Sequence, residues 1–280
     1  MTTILVPTDF SDAARNASVY ALHLASAMHY KIILYHAYHM PVVPTADAPM
    51  PVFVDQEELE KENMKLVIEE AAFLQTLLPV PIDCITTEGF AVDEILRLEE
   101  AEKPEFIVMG LSEAGRVSEF LLGSIATDVM AKTHTPVIIV PEKTPYKKLS
   151  RIAFASDYTV EPDTDELNLL KHLIKMFNAK LYIINVEKEV EDIEVDKAIQ
   201  MMKIENDFDD VEHSHHLPVD NDLIHGINEF VADKEIDMIA MIPHKHNLLS
   251  RMFKESNTKK MAFHTSIPLL TLHSSHRSDD

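Results

Sequence analysis

A chain of 280 residues is twice the length of a small α/β domain, so two domains are the first expectation. Acids outnumber bases 47 to 25, a formal charge of −22, which argues against a DNA, RNA or anionic-membrane surface because each needs clustered Lys and Arg. The 46% hydrophobic content suffices for a real core, and the single cysteine, Cys84, excludes an intrachain disulfide and a cysteine-based zinc cluster.

Thr3 to Pro7 reads as a short strand with no basic stretch before it, so no secretory leader is expected. No apolar run approaches the ~20 residues that span a bilayer, and a cytoplasmic protein is the expectation. Ser11 is a good N-cap and Asp12 suits the positive end of a helix. Ala14, Ala17, Ala21, Leu22, Ala25 and Met28 then recur at helical spacing. Lys31 to Ala37 holds a continuous apolar run, as in strands buried on both faces of a parallel sheet. Prolines at 41, 44, 49 and 51 mark residues 38–54 as a loop. Residues 55–78 carry a helical pattern ended by Pro79 and Pro81. A strand over Ile82–Thr86, a helix over 91–102 and a buried strand over Phe106–Met109 follow. A polar loop, a helix over Ser124–Thr133 and a closing strand over Val137–Val140 complete this half. Strands alternating with helices predict a doubly wound parallel sheet with right-handed crossovers. Residues 141–150 read as a linker.

The second half repeats the first. Pro136 falls on Pro268 at an offset of 132 residues, which also carries Ile95 onto Ile227 and Ser124 onto Ser256. Near the starts, Asp9 falls on Asp157 at an offset of 148. The proline-rich insertion of the first half accounts for most of the difference. Matches at constant offset predict two copies of one fold, over residues 1–143 and 150–274.

In an open parallel sheet, ligands bind beyond the carboxyl ends of the strands. Pro7-Thr8-Asp9, Ala37 and Met109-Gly110 fall there. The chain has five glycines, and Gly110, Gly115 and Gly123 lie in the loop after the fourth strand. Glycine serves where backbone turns sharply or approaches a ligand closely. Gly123-Ser124 precedes a helix whose free N–H groups and dipole suit an anion. The same residues also fit a plain loop with Ser124 as its N-cap.

Ile4-Leu5-Val6-Pro7-Thr8-Asp9-Phe10-Ser11, Met109-Gly110 through Leu121-Leu122-Gly123-Ser124-Ile125-Ala126, and Thr135-Pro136-Val137-Ile138-Ile139-Val140 together resemble the universal stress protein family. The resemblance covers nearly all of the first half, and the layout is similar to the tandem type with two such domains. It implies two doubly wound, five-stranded Rossmann-like sheets of the adenine nucleotide α-hydrolase-like kind, with flanking helices. It implies a nucleotide site in the first half: Asp9 and Ala37 at the nucleoside, Gly123, Ser124 and the Ile125 amide at the phosphates, with Pro7, Thr8, Met109, Gly110 and Gly115 around them. The ligand would be ATP or AMP. The family's ATP-binding loop, G-x2-G-x9-G-[ST], has Glu113 here at its second glycine. A carboxylate about 4 Å from a triphosphate repels it by about 1–4 kcal/mol. Arg116 offsets this where it folds inward, and AMP suffers less than ATP.

At the same offset Gly110 becomes Ile242, Glu113 becomes Lys245 and Gly123 becomes Glu255, so the second half is expected to bind no nucleotide. In families resembling this one the closing strands pair across a dimer, so the two halves are expected to pair as an internal pseudo-dimer. Association of two chains is not specified. His213, His215 and His216, and His244 with His246, invite a zinc reading, yet no ligand set closes in sequence, and no metal is assigned. Carboxylates at 57–62, 187–196 and 205–212 read as solvated faces. No Walker A loop, G-x-S-x-G elbow or H-E-x-x-H is present, so catalysis beyond weak incidental ATP turnover is not expected. The leading expectation is a stress-response regulator that binds an adenine nucleotide. A ligand-free interaction protein is the alternative.

Overall fold

The structure, a computed structural model, describes residues 1–40, 55–112, 124–156, 158, 164–188, 195–242 and 266–272. Its first half runs β1 (Thr3–Pro7), α1 (Asp12–Met28), β2 (Lys31–Tyr38), α2 (Gln56–Leu77), β3 (Ile82–Glu88), α3 (Ala91–Glu102), β4 (Phe106–Leu111), α4 (Ser124–Lys132) and β5 (Val137–Pro141). The second half runs β6 (Arg151–Ala155), α5 (Thr164–Phe177), β7 (Lys180–Ile184), α6 (Val195–Asp207), β8 (His213–His216), α7 (Leu223–Asp233), β9 (Met238–Met241) and β10 (Leu269–Thr271). The expected loop at 38–54 lies mostly outside the described residues, as do Glu113, Gly115, Arg116, Gly123, Asp157, His244, Lys245, His246, Glu255 and Ser256.

All ten strands join one sheet in the order β3-β2-β1-β4-β5-β10-β9-β6-β7-β8. Pairing is parallel within each half. The halves meet antiparallel at β5 and β10, with Leu269 opposite Ile139, Leu270 opposite Ile138 and Thr271 opposite Val137. The closing strands, which would be edges in an isolated half, therefore lie at the centre of the sheet. Each covers the other's unpaired backbone groups. The Thr271 hydroxyl adds a bond to the Val137 carbonyl at 3.3 Å.

Alternation along each strand sorts side chains to two cores. Ile4, Val6, Ile32 and Leu34 join residues of α1, α2, α5 and α6 in a core spanning both halves. Leu5, Ile33 and Tyr35 face the other way, toward residues of α3, α4 and α7. Glu70 of α2 is buried, and Arg15 of α1 answers it at 3.2 Å, tying the two helices together.

The duplication is visible in the backbone. Among the described residues, six non-glycines have left-handed φ: Phe10, His29, Lys103, Tyr158, Asn178 and Glu235. They fall into three pairs by the repeat: Phe10 with Tyr158, His29 with Asn178, Lys103 with Glu235. Such conformations cost roughly 1 kcal/mol each and persist only where surroundings impose them. For Phe10 and Tyr158 the same device does so: Phe10 N–H donates to Thr8 Oγ1 at 3.0 Å, and Tyr158 N–H to Ser156 Oγ at 3.2 Å.

Candidate functional site

The strand order reverses between β2 and β4, the two neighbours of β1, which opens a crevice beyond the carboxyl ends of these strands. A cavity of about 390 Å³ lies there, within the range of small-ligand sites. Pro7, Thr8 and Asp9 line it from β1, Ala37 from β2, Met109 and Gly110 from β4, and Ile125 from the first turn of α4. Ser11, whose side chain caps α1, also faces it, as do Tyr35, His39, Ile95 and Ser112, which no sequence pattern marks as site residues. Tyr35 sits inside an apolar run that reads as core, and Ile95 reaches the cavity from a helix remote in sequence. Gly115 and Gly123 lie outside the described residues. Ser124 begins α4.

Local bonds fix this rim. Thr8 N–H continues the β1 ladder to the Tyr35 carbonyl at 2.8 Å. Asp9 Oδ1 accepts from Ser11 N–H at 3.0 Å and from the Ser11 hydroxyl at 2.5 Å. Ser11 Oγ in turn accepts from Ala14 N–H at 3.2 Å and caps α1. His36 Nδ1 lies 2.7 Å from the Thr8 carbonyl. A carbonyl only accepts, so Nδ1 carries the proton. The Phe10 ring packs on this imidazole at 4.6 Å between centroids. The N-terminal ends of α1 and α4 both border the cavity, and the positive ends of the two helix dipoles favour an anion.

Gly110 lines the cavity and also meets a packing demand. It lies inside β4, one residue before the strand ends, rather than opening the loop. A Cβ there would stand 2.3 Å from the Ala13 carbonyl oxygen and 2.7 Å from Ala14 N. Glycine is thus required by the packing of α1 against β4, and that packing brings the α1 N-terminus to the cavity.

At the matching place in the second half stand Ala155, Ser156, Val186, Met241 and Ile242. Ile242 is buried and carries a side chain where Gly110 has none. Val186, at the position of Ala37, closes on α7: a Cβ at Gly226 would lie 2.7 Å from Val186 Cγ1.

The histidines of β8 divide by face. His213 and His215 lie on one side with ring centroids 5.9 Å apart. His213 Nδ1 donates to the Val211 carbonyl at 3.0 Å, and His215 Nδ1 lies 3.1 Å from the Tyr158 hydroxyl. His216 stacks on Tyr182 on the opposite side. Among the described residues, the group of three candidate metal-ligand side chains that comes together is elsewhere: Asp220, His225 and Glu229, at the surface. Asp220 pairs with His225 Nδ1 at 2.5 Å and holds the imidazole above its ordinary pKa. Cys84 is half-buried on the edge strand β3, and burial pushes its thiol up.

Burial lowers the His215 pKa, opposed by Glu205 and reinforced by His213 and His216. The unfolded chain therefore takes this proton first. The contribution to stability is complete above the ordinary value of 6.5 and is lost as pH falls below it. The urea midpoint is expected to drop between about pH 7 and about pH 5, and His215→Asn to flatten that drop. An unchanged pH profile in the variant would count against this role.

Fold and crevice together define a doubly wound α/β protein with a cleft at its first switch point. The model of the Universal stress protein family matches residues 1–141. The chain belongs to that family. It is 30% identical over 138 residues to Universal stress protein MJ0531 of Methanocaldococcus jannaschii, which covers 49% of this chain and 80% of that protein. It is likewise 30% identical over 142 residues to a universal stress protein of Thermus aquaticus, 49% of this chain and 97% of the relative. A universal stress protein structure from Archaeoglobus fulgidus superposes with a TM-score of 0.74 over 97% of this chain and 98% of the other, at 19% identity, a likeness of fold. Among the described residues, no helix is long and apolar enough to cross a membrane.

Proposed function

We propose that the first half binds an adenine nucleotide, ATP or AMP, and that the chain acts as a cytoplasmic stress-response regulator rather than as an enzyme. The observation that carries this reading is the convergence of Pro7, Thr8, Asp9, Ala37, Met109, Gly110 and Ile125 on one cavity at the switch point. The cavity accommodates a nucleoside between β1, β2 and α3, and the α4 N-terminus lies where phosphate would be stabilised. Glu113, which follows the cavity residue Ser112 in sequence, adds a negative charge that weighs toward the monophosphate. The second half, with Ile242 and Val186 in the corresponding places, is read as non-binding. Its β10 completes the sheet of the first half instead. We read residues 1–143 and 150–274 as the two domains.

Calorimetric titration of the full chain with AMP and with ATP tests the reading. One site per chain is expected. Ala37→Phe fills the cavity from β2 and should weaken binding at least about tenfold, while Val186→Ala in the second half leaves it unchanged. Wild type without measurable binding, or Ala37→Phe with full affinity, would overturn the assignment.

A further inference from the structure

One helix start breaks the rule that the others follow. α1, α2 and α7 begin on Ser11, Asp55 and Asp222, and each of these side chains accepts a backbone N–H of the first turn. α3 begins on Phe90, which makes no such bond. The offset that carries Ile95 onto Ile227 also carries Phe90 onto Asp222, so the first half lacks a cap that its twin keeps. The phenyl ring is 73% exposed. The end of the β2–β3 ladder decides what stands beside it. Tyr38 pairs with Glu88, and Gly89 N–H donates to the Tyr38 carbonyl at 3.0 Å. His39 and Phe90 therefore leave the two strands side by side, with ring centroids 5.0 Å apart and planes inclined at 58°. His39 is exposed and lines the cavity at the switch point, as does Ala91, the first residue of α3.

We propose that His39, backed by Phe90, is the surface on which the base of the bound nucleotide stacks at the mouth of this cavity. The inference rests on the adenine-nucleotide reading above and adds to it the element that selects a flat aromatic ring. Every base has a π-face, so an aromatic side chain at the mouth favours a base over a bare sugar phosphate. Phe90 restricts where the imidazole swings, so less freedom is lost when the base arrives. The second half supplies the contrast. Lys31 and Lys180 stand at the same place opposite β1 and β6, which sets Lys188 where His39 is. The half read as non-binding thus has Lys188 and Asp222 in place of both rings, and there the helix keeps its cap. A polar residue at position 90 would strengthen α3 and leave the imidazole without support.

Calorimetry of the full chain with AMP tests this surface. His39→Ala should weaken AMP about fivefold or more. His39→Phe should bring the affinity back to within about twofold of wild type, because the base needs a flat ring rather than a charge or a hydrogen bond. Phe90→Ser should move two quantities in opposite directions: the urea midpoint rises as α3 gains its cap, and AMP affinity falls about threefold. Phe90→Tyr keeps the ring and should restore the affinity. Both side chains are exposed, so these variants keep the fold. Full affinity in His39→Ala, His39→Phe no better than His39→Ala, or unchanged affinity in Phe90→Ser would overturn the stacking surface and leave the nucleotide site standing. Wild type without AMP binding would overturn both.

Discussion

Alanine at position 110 is expected to cost about 3 kcal/mol of folding stability and to abolish the nucleotide binding proposed for the first half. The atoms that an added Cβ would meet are the Ala13 carbonyl carbon and oxygen, at 2.4 and 2.3 Å, and Ala14 N. They are backbone atoms of the first turn of α1, so no rotamer change relieves the clash. Either α1 lifts from β4 or β4 yields toward the opposite core, where Met109, Leu111 and Ile95 are already buried. Lifting α1 also displaces Ser11 and its partner Asp9 from the rim of the cavity. Urea unfolding measures the first effect and calorimetry the second. Wild-type stability in Gly110→Ala would mean that helix and strand are not pressed together as described.

Most strands of the first half were legible because they are continuous apolar runs, and its helices because their caps and breakers are local. Ser11 caps α1 as its side chain suggests, and Pro79 follows the end of α2. Strand ends were less legible. β2, β3 and β4 run one or two residues past their apolar runs, because Tyr38 pairs with Glu88 and Leu111 with Pro141. Those pairings are set by neighbouring strands rather than by the residues themselves. The glycine at 110 was read as backbone room for a ligand. Its required neighbour, Ala13, is almost one hundred positions away in sequence, and no local pattern shows it. The left-handed Phe10 is hidden for a related reason, since a bulky residue gives no hint of that conformation until the Thr8 hydroxyl and the His36 ring are in place. Glu99 is hidden in the same way: its carboxylate on α3 accepts from the His134 and Thr135 N–H groups at 3.0 and 2.9 Å, a contact between distant segments that no local pattern shows.

Truncating Leu270 to alanine should destabilise the chain by about 2–5 kcal/mol and should do so in both halves at once. Leu270 is fully buried, lies opposite Ile138 across the antiparallel seam and beside Ala240 in β9, and belongs to the core that spans both halves. β10 has only three residues, so each of its side chains carries a large share of the junction. Thr144, whose carbonyl accepts from the Asn16 amide at 2.9 Å, donates its hydroxyl across the seam to the Ser266 carbonyl at 2.8 Å. A sheet joined in this way has no natural place to come apart into two stable pieces, because separation exposes the backbone of β5 and β10 together with one common core. Hydrogen exchange of Leu5 and Phe154, each central to its own half, reads the outcome. Equal loss of protection at both residues is expected in Leu270→Ala. Loss at Phe154 with full protection at Leu5 would show that the first half folds alone and that the second leans on it, so that the two domains unfold separately rather than as one cooperative sheet.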